Sequence, residues 1–353
     1  MRIFLDIGHP AHVHYFRNFI RIMERNGHRF MVTARNREHV TELLNHYKIP
    51  FVDRGAGGRT SLGKILYLVK TSWQQYLRAR KFKPDLFLDF STIYSGFASR
   101  MLKKPYITFT DTETTGLYRF FIRPFTKKVY TPVCFSRYLG AEHKRFNGLM
   151  ELSYLHPRYF EPDASVLELL NLKENEPFAI VRFVGWSAVH DRGKQGFSLR
   201  GKIKLVNTLQ KYGRVFISSE GSLPEELESL RLRLPSHRIH DLLFYATLLV
   251  GEGATMATEA AILGTPAIYL ADFKLGNLTY LEEKYGLVLN FGTSEKEQDL
   301  ALKSAAMLLS RPGTKTNSGR QAEKLLEDHE DVTAFVVNEV LQNYDELSRK
   351  EVN

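Results

Sequence analysis

The sequence predicts an α/β protein made of two doubly wound domains, and three observations lead to this prediction. Short apolar runs alternate with amphipathic stretches along most of the chain, as in parallel sheets covered by helices on both faces. A proline-containing stretch over 157–177 interrupts the alternation once. The 353 residues also suit about two domains of roughly 150 residues each. We therefore expect a first domain over 1–160, a second over 161–330, and a last segment over 331–353 that packs on one of them.

The alternation begins with an apolar strand over 3–7, and a helix over about 14–26 follows it. The further elements predicted in the first half are strand 30–33, helix 38–47, strand 51–52, strand 86–89, helix 95–101 and strand 106–110. In the second half they are strand 178–184, helix 199–212, strand 215–218, helix 223–233, a short helix from 242, strand 248–251, helix 255–263, strand 266–270, helix 299–309 and helix 332–347. Repeated strand–helix units of this kind predict one mostly parallel sheet in each half.

Composition excludes several classes of protein. Hydrophobic residues make up 43% and charged residues 25% of the chain, which is close to the globular average. The sequence contains no run of about 20 apolar residues, the length that a membrane-spanning helix needs, and the N-terminus has no signal-peptide pattern. We therefore expect a cytoplasmic protein. The single cysteine, Cys134, has no partner for an intramolecular disulfide and leaves a structural zinc site without cysteine ligands.

Positive charge is concentrated in the first half of the chain. Residues 1–160 hold 27 Lys and Arg against 11 Asp and Glu, whereas residues 161–353 hold 22 against 28. A basic half attracts phosphates, nucleic acid or an anionic membrane surface. The sequence has no recognition helix, RNA-binding signature or basic tail, so nucleic acid is not expected as a partner.

Two stretches of the basic half mix apolar residues with cations. Over 62–80, apolar side chains recur at helical spacing with lysine and arginine between them, and 118–128 interleaves aromatic residues with cations. Such a surface suits a membrane interface and a polyprenyl-phosphate acceptor. The same spacing suits a buried helix face, and the pattern alone does not choose between the two.

The most informative segment, 251–268, predicts a nucleotide site. A strand ends there at a pair of glycines and a helix begins at once, so unpaired amides and the positive end of the helix dipole face the ligand edge of the sheet. Such a helix start suits a phosphate, and glycine lets a diphosphate approach the backbone closely. Glu259, one turn into the helix, can accept two hydrogen bonds from a ribose diol. The residues predicted to bind the nucleotide here are Gly251, Gly253, Ala254, Thr255 and Glu259.

Histidines and acids mark the corresponding edge of the first domain. The histidines His9, His12 and His14 follow the first strand, Asp89 ends a later strand, and Asp111 and Glu113 follow the next one. The carboxyl ends of parallel strands meet at one edge, so these side chains should open into one cleft. A histidine there can take a proton from an acceptor hydroxyl. Helix capping and salt bridges are the structural alternatives, and no cluster with metal-ligand spacing completes the set, so no metal is predicted.

The segment 251–268 resembles the nucleotide-sugar segment of GT-B glycosyltransferases, notably the lipid-linked N-acetylglucosamine transferase of peptidoglycan synthesis, and of UDP-N-acetylglucosamine 2-epimerases. The opening 6–14, DIGHPAHVH, together with 255–259, TMATE, resembles more closely an archaeal and bacterial family, domain of unknown function 354, whose members are predicted glycosyltransferases. This resemblance covers nearly the whole chain. It implies a GT-B fold, in which two Rossmann-like domains face each other across a cleft.

The resemblance also implies roles for the donor-side residues. Glu259 takes the position of the glutamate that holds the ribose of UDP. Gly185 and Ser187 stand where GT-B enzymes have a glycine- and serine-rich diphosphate loop, and Arg182 lies beside this loop in the sequence. A cation there can offset the charge of a pyrophosphate leaving group.

On the acceptor side the resemblance implies three catalytic candidates. His12, which is followed by valine, aligns with the Gly-His-Val motif of the peptidoglycan transferases and becomes a candidate general base or donor-phosphate contact. Asp89 and Glu113 resemble acids of the epimerases. The remaining residues of this edge, His9, His14 and Asp111, are candidate acceptor contacts.

The expected function is glycosyl transfer from a nucleotide sugar, with UDP as the expected nucleotide, to a glycan or polyprenyl-phosphate-linked acceptor in cell-envelope or surface polysaccharide synthesis. No metal or other cofactor is expected, and an anionic membrane surface is a candidate partner. Two alternatives stay open, a UDP-N-acetylhexosamine 2-epimerase on the same scaffold and a non-catalytic protein that binds nucleotide sugars. The sequence does not indicate the donor sugar, the acceptor, the stereochemistry or the oligomeric state.

Overall fold

A computed structural model describes residues 1–58, 60–111, 113, 122–185, 196–219 and 221–352. The chain divides into two compact units, which are treated separately. Unit 1 comprises Met1–Tyr159 and Glu330–Asn353, and unit 2 comprises Phe160–His329. No helix among the described residues combines the length and the apolar character needed to cross a membrane.

Unit 1 is built on a seven-stranded parallel sheet. Its strands are β1 (Arg2–Ile7), β2 (Arg29–Ala34), β3 (Phe51–Asp53), β4 (Leu86–Phe90), β5 (Tyr106–Phe109), β6 (Lys128–Pro132) and β7 (His143–Phe146). Its first helices are α1 (Pro10–Arg25), α2 (Glu38–His46), α3 (Ser61–Phe82), α4 (Ser95–Met101) and α5 (Leu152–Leu155). The strand order is β3-β2-β1-β4-β5-β6-β7, so the direction of winding reverses between β1 and β4. Ligands of open α/β sheets bind at the carboxyl ends of the strands at such a reversal.

Unit 2 contains a five-stranded parallel sheet. Its strands are β8 (Phe178–Phe183), β9 (Arg214–Ser219), β10 (Leu248–Gly251), β11 (Ala267–Leu270) and β12 (Val288–Phe291). Its helices are α6 (Ser165–Leu169), α7 (Leu199–Leu209), α8 (Glu225–Glu228), α9 (Ile239–Tyr245), α10 (Ala254–Ile262), α11 (Gly276–Tyr280), α12 (Glu295–Ser310) and α13 (Thr314–Asp328). The order is β12-β11-β10-β8-β9, and the reversal lies between β10 and β8. The two parallel sheets confirm the predicted α/β class.

The last helix, α14 (Val332–Val352), belongs to unit 1, where it packs against α1 and α5. Tyr130 on β6 donates a hydrogen bond of 2.6 Å to Glu339 Oε2, and Lys144 on β7 pairs with the same carboxylate. Asn343 Nδ2 donates to the Tyr130 hydroxyl over 3.1 Å. These polar contacts fix the helix beside β6 and β7 and decide which unit it joins, a point that the sequence does not settle.

Helix α1 begins four residues earlier than predicted. Pro10 occupies its first turn, where a missing amide hydrogen costs nothing, and His9 caps the helix by accepting a hydrogen bond of 3.2 Å from Ala11 N. As a result His12 and His14 lie within the first turns of the helix rather than in a loop. The capping alternative is therefore correct for His9.

Several other boundaries differ from the sequence-based ones. The helix predicted over 223–233 is the single turn Glu225–Glu228, because Arg231 pairs in parallel with Ile217 and draws the chain onto β9. The elements β6, β7, β12, α5, α6, α11 and α13 are absent from the prediction. Most of these are short, and β7 (HKRF) carries mainly polar residues, so their apolar periodicity is too weak to identify them.

Candidate functional site

The carboxyl ends of β8 and β10 meet at the reversal of the unit 2 sheet. Gly251, the last residue of β10, is the direct partner of Arg182 on β8. Helix α10 starts three residues later at Ala254, and its capping residue, Gly253, provides no side-chain hydrogen bond. The first residues of the helix are partly exposed. This helix start therefore presents amides and a positive dipole end at the edge where α/β proteins bind ligands.

The two glycines of this edge allow close packing around Arg182. A methyl group added at Gly251 would lie 2.4 Å from the Arg182 carbonyl oxygen, and one at Gly253 would lie 2.9 Å from Arg182 Cγ. The first contact is with backbone and the second with a flexible side chain. Gly251 thus lets the strands approach, and Gly253 lets the arginine side chain lie across the start of α10. The Arg182 guanidinium donates to Ser218 Oγ at the end of β9 over 2.8 Å.

We expect Gly251→Ala and Gly253→Ala to have different effects. Gly251→Ala must displace the backbone of β8 and should destabilise the protein by about 1–3 kcal/mol. Gly253→Ala only moves the Arg182 side chain, so it should leave the melting temperature nearly unchanged and weaken binding of inorganic pyrophosphate. Thermal unfolding and pyrophosphate titration of both variants check this, and equal stability losses for the two would contradict it.

Glu259 lies on the second turn of α10 and is held by a histidine. It is 6% exposed, and its Oε1 accepts a hydrogen bond of 3.0 Å from Nε2 of His240, which is 2% exposed on α9. Its neighbour Thr258 accepts a hydrogen bond of 2.9 Å from Asn277 Nδ2. The carboxylate is therefore fixed in orientation by a buried partner. The sequence alone indicates no role for the His240 side chain.

Glu252, between the two glycines, is a further residue that sequence reasoning does not single out. It is 3% exposed, and its two carboxylate oxygens accept backbone hydrogen bonds from Val184 N at 2.8 Å and Phe197 N at 2.6 Å. One buried carboxylate thus ties the two chain segments that flank 185–196 to the start of α10. Of the predicted diphosphate-loop residues, Gly185 is described and Ser187 lies outside the described residues, as do the cations of 190–194.

A buried ion pair lies at the end of β1 in unit 1. Asp6 is fully buried, and its Oδ1 accepts from Arg54 Nε at 2.9 Å and from Thr33 Oγ1 at 2.7 Å. Gln75 of α3 donates to the same oxygen at 3.1 Å, and the Arg54 guanidinium lies 4.4 Å from the ring centre of Tyr94. Within the described residues, Asp6 Oδ2 has no hydrogen-bond partner. The network fixes Arg54 directly beneath the loop that carries Gly8.

Gly8 is surrounded by three side chains of this edge. A methyl group added at Gly8 would lie 3.4 Å from Arg54 Nη2, 3.5 Å from Thr92 Cγ2 and 3.7 Å from His12 Cε1. The His12 ring packs against Phe90, with ring centres 5.0 Å apart. The reversal point of the sheet thus brings the predicted residue His12 together with Arg54 and Thr92, two residues that the sequence analysis does not predict.

The protonation state of His12 follows from its surroundings. Burial, and then the nearby charges of His9, Arg54 and Arg37, lower the pKa of His12 well below its usual 6.5, so the ring is neutral at pH 7. Its Nδ1 accepts a hydrogen bond of 3.3 Å from Gly8 N. A neutral ring that accepts at Nδ1 carries its proton on Nε2. In this arrangement His12 offers a hydrogen-bond donor to a ligand, rather than a base.

His14 does not lie where the sequence analysis expects it. It is 5% exposed, its ring stacks on Tyr154 with centres 5.1 Å apart, and its Nδ1 lies 3.5 Å from Arg17 Nη1. Two residues along a helix are about 200° apart, so His12 and His14 face opposite sides of α1. The expectation that His14 opens beside His12 is not met in the structure, and the residue packs between α1 and α5.

Asp89 is enclosed rather than open to a cleft. It is fully buried, and its oxygens accept hydrogen bonds from Thr92 at 2.7 Å, Tyr106 at 2.9 Å and Thr108 at 2.7 Å. The expectation that this carboxylate faces a ligand is not met in the structure. Burial raises the pKa of Asp89 to about 7, although the three hydroxyls lower it in part. Asp89 instead positions Thr92, which borders Gly8.

We expect this carboxyl group to make stability depend on pH. Because its pKa is about 7 in the folded protein, against an ordinary value of 3.8 for an exposed aspartate, the folded state holds the proton more tightly, and stability is lost as pH rises from about 4 to 7. The loss attributable to Asp89 is as much as about 4 kcal/mol. In urea unfolding, the stability of the wild type relative to Asp89→Asn should therefore fall as pH rises across this range, because only the wild type carries the titrating group. A constant difference would contradict the raised pKa.

The remaining acceptor-side residues are only partly enclosed. Glu113 Oε1 accepts a hydrogen bond of 2.9 Å from Ser136 N, and Asp111 is half-buried after β5. The His9 side chain caps α1 and is otherwise classed as exposed. The aromatic and basic stretch 118–128 is described only from Ile122 onward. In the part of the chain that the structure describes, no three His, Cys, Asp or Glu side chains gather as metal ligands would.

Unit 2 also contains a cavity that the sequence does not predict. It has a volume of about 430 Å³ and lies at the carboxyl ends of β11 and β12. Its polar lining comes from Asp272, Lys274, Asn290, Thr293 and Glu297. The size falls within the range of small-molecule sites, and the lining offers both donors and acceptors to hydroxyl groups.

The chain is similar to a family of proteins of unknown function and to an archaeal relative. A family model described as "Protein of unknown function (DUF354)" matches residues 1–290. An uncharacterized protein of Methanocaldococcus jannaschii is 21% identical over 279 residues, which is 75% of this chain and 80% of that protein.

Two solved structures represent the similar folds. The UDP-GlcNAc 2-epimerase from Neisseria meningitidis bound to UDP-GlcNAc is 13% identical with a TM-score of 0.64, covering 97% of this chain and all (100%) of that one. The spinosyn rhamnosyltransferase SpnG complexed with thymidine diphosphate is 14% identical with a TM-score of 0.60, covering 95% of this chain and 99% of that one. The fold is the GT-B fold of glycosyltransferases and UDP-sugar epimerases, as the sequence predicts.

Proposed function

The chain belongs to the DUF354 family, and from this premise and the geometry of unit 2 we propose that it is a glycosyltransferase that uses a nucleotide sugar, most simply a UDP-sugar. The observation that carries the proposal is the start of α10, where uncapped amides, Arg182 and the fixed carboxylate of Glu259 lie within two helical turns. The amides and Arg182 can bind a diphosphate, and the Glu259 carboxylate can accept hydrogen bonds from a ribose diol.

Each group of this edge has a chemical role in the proposal. The amides of Gly253, Ala254 and Thr255 and the Arg182 guanidinium hold the diphosphate and offset the charge that develops when the sugar–phosphate bond breaks. Glu259 accepts hydrogen bonds from the ribose hydroxyls, and His240 positions it. The fixed dipoles and the cation thus stabilise the leaving group through groups that the chain itself supplies.

The reaction also needs groups that handle the acceptor, and unit 1 supplies the candidates. His12 offers Nε2–H as a donor to a ligand oxygen, which favours a phosphate or hydroxyl contact over general-base catalysis. Glu113 and Asp111 are the candidate bases for the acceptor hydroxyl. The acceptor we propose is a glycan or a polyprenyl-phosphate-linked sugar of cell-envelope or surface polysaccharide synthesis.

The cavity beside β11 and β12 supports the choice of a sugar-bearing ligand. Carboxylate, ammonium and amide groups line it together. The hydroxyl groups of a hexose can donate hydrogen bonds to the carboxylate and amide oxygens and accept them from the ammonium group. We assign the hexose of the donor to this cavity. Lys274→Ala, which removes an exposed cation of the lining, should then weaken binding of the UDP-sugar while leaving binding of UDP unchanged.

A ligand screen followed by product analysis tests the proposed function. A nucleotide sugar at 100 times its dissociation constant should stabilise the folded protein by about 2.7 kcal/mol, so UDP-, GDP- and dTDP-sugars are compared by thermal shift. A transferase releases UDP only when an acceptor is supplied. If no nucleotide sugar raises the unfolding temperature, the proposal is wrong.

An epimerase is the second candidate, because the Neisseria meningitidis enzyme bound to UDP-GlcNAc shares the fold at a TM-score of 0.64. An epimerase converts a UDP-sugar to its isomer without any acceptor. Incubation of the protein with UDP-GlcNAc alone, followed by separation of the sugars, therefore distinguishes the two reactions.

A further inference from the structure

Helix α3 of unit 1 exposes a continuous apolar stripe. The exposed fractions are 67% for Leu62, 59% for Ile65, 62% for Leu66, 64% for Val69, 51% for Trp73 and 47% for Leu77. These six side chains, here called the α3 apolar face, recur every three or four residues and so lie along one side of the helix. A row of large apolar side chains this exposed is typical of an interaction surface rather than of ordinary protein surface.

The opposite side of helix α3 is buried and attaches the helix to the rest of unit 1. On the opposite side Thr71, Gln75 and Ala79 are buried, and Gln75 Nε2 donates to Thr33 Oγ1 at 2.7 Å and to Asp6 Oδ1 at 3.1 Å. Tyr67 receives a hydrogen bond of 3.1 Å from Arg54 Nη1. The helix is therefore held to the sheet by its polar side, and its apolar side is turned outward.

The charged residues of α3 itself all have one sign. Between Arg54 and Asp85 the sequence has no acidic residue, and α3 itself contains five basic ones, Lys64, Lys70, Arg78, Arg80 and Lys81. At 100° per residue, Lys70 and Lys81 border one side of the stripe and Arg80 continues it. All three are exposed. A surface of this kind complements a negatively charged partner.

Helix α4 extends the same surface. Phe97 and Met101 are exposed by 36% and 52%, and the Phe97 ring centre lies 6.4 Å from that of Tyr76 on α3. No acidic residue occurs between Phe90 and Asp111, whereas Arg100 and Lys103 are exposed there. Two adjacent helices thus share an apolar centre and a basic border.

From these observations we propose that the α3 apolar face, with Phe97 and Met101, binds the surface of an anionic lipid bilayer. An interfacial helix buries its apolar side among acyl chains while lysine and arginine contact anionic headgroups. Helix α3 has 22 residues, about 33 Å, and lies on the surface of the unit, so it can contact a bilayer along its length. A protein partner that uses an apolar groove would not account for the uniform positive charge of the border.

Docking of this kind does not depend on the reaction that the protein catalyses. Under the proposed function it has one consequence, since Tyr67 and Gln75 connect α3 to the edge that carries Gly8 and His12. A lipid-linked acceptor held in the bilayer would then be presented beside that edge. This consequence rests on the proposed function, whereas the docking itself is tested by binding alone.

Vesicle co-sedimentation of the full chain tests the proposal. The wild type should sediment with vesicles of phosphatidylglycerol and phosphatidylcholine at low salt, less as salt rises, and not with phosphatidylcholine alone. Leu66→Ser/Val69→Ser and Lys70→Glu/Arg80→Glu should each bind at least tenfold more weakly. The matched controls from unit 2 are Leu169→Ser/Leu199→Ser and Lys211→Glu/Arg233→Glu, which alter equally exposed residues and should sediment like the wild type.

Tryptophan fluorescence gives an independent measurement. The chain has two tryptophans, Trp73 and Trp186, so in a Trp186→Phe background only Trp73 reports. Its emission should shift to shorter wavelength when anionic vesicles are added, and thermal unfolding of each variant verifies that it is folded.

Three results would overturn the proposal. The first is a folded wild type that stays in the supernatant with anionic vesicles at low salt. The second is undiminished vesicle binding by both α3 variants. The third is a wild-type dimer in sedimentation velocity that Leu66→Ser/Val69→Ser converts to a monomer without any change in vesicle binding, which would assign the face to a second copy of the chain.

Discussion

Replacing Glu259 by glutamine is expected to weaken UDP binding roughly 30- to 1,000-fold. The carboxylate can accept both ribose hydroxyls as charge-assisted hydrogen bonds, and their loss costs about 2–4 kcal/mol in total. A carboxamide offers one acceptor in place of two and turns a donor toward the second hydroxyl. Isothermal titration of UDP into the wild type and Glu259→Gln measures the difference directly.

The ribose assignment can be separated from a general effect on the site. Wild-type protein should bind UDP more tightly than 2′-deoxy-UDP, and Glu259→Gln should bind the two alike, because the residue that distinguishes them is gone. Glu323→Gln, which alters an exposed glutamate of the same unit on α13, is the control and should behave as the wild type. If Glu259→Gln binds UDP within twofold of the wild type, the ribose assignment is wrong.

The second large effect is expected at the buried ion pair of unit 1. Arg54→Met removes the cation that faces Asp6 Oδ1 at 2.9 Å and leaves a fully buried carboxylate with hydroxyl and amide donors only. Breaking one partner of a buried pair costs about 3–5 kcal/mol. Urea unfolding followed by Trp73 fluorescence in the Trp186→Phe background should report this loss in unit 1.

A double-mutant cycle shows whether the loss comes from the stranded charge. Asp6→Asn/Arg54→Met should be more stable than Arg54→Met alone, since no unpaired charge remains buried. The exposed pair of Lys204 and Asp299, 2.5 Å apart with both side chains more than half exposed, provides the control, and Lys204→Met should change stability by at most about 1 kcal/mol. Additive losses at Asp6 and Arg54 would contradict this account.

The parallel sheets are readable from sequence because their central strands are continuous apolar runs. Ile3, Phe4 and Leu5 of β1 and Leu248, Leu249 and Val250 of β10 are almost completely buried, as strands covered on both faces must be. The edge strand β7 and the polar helix α13 lack such runs. Helix α13 buries little more than Ser318, Ala322 and Leu325, which is too narrow a stripe for its period to be recognised.

The candidate site is predictable where its residues share one local segment. Gly251, Gly253 and Glu259 belong to a single strand–helix unit, and their spacing indicates a nucleotide site. His240, which fixes Glu259, comes from α9 and meets it only through the fold, and Arg182 on β8 is indicated by the family resemblance rather than by local spacing. At the other edge, Pro10 marks the true start of α1, and from that start His14 can be placed on the buried side of the helix.

The return of the chain to unit 1 through α14 has a consequence for biosynthesis. Unit 2 is one continuous stretch, Phe160–His329, whereas unit 1 is assembled from the two ends of the polypeptide. The sheet of the first unit leaves the ribosome early, but Glu339 and Asn343, which pair with Tyr130, are translated only after the entire second unit. At elongation rates of about 5–20 residues per second, α14 is synthesised roughly ten seconds or more after the surface that it covers. During this interval that surface of the nascent chain is exposed to aggregation and to chaperones.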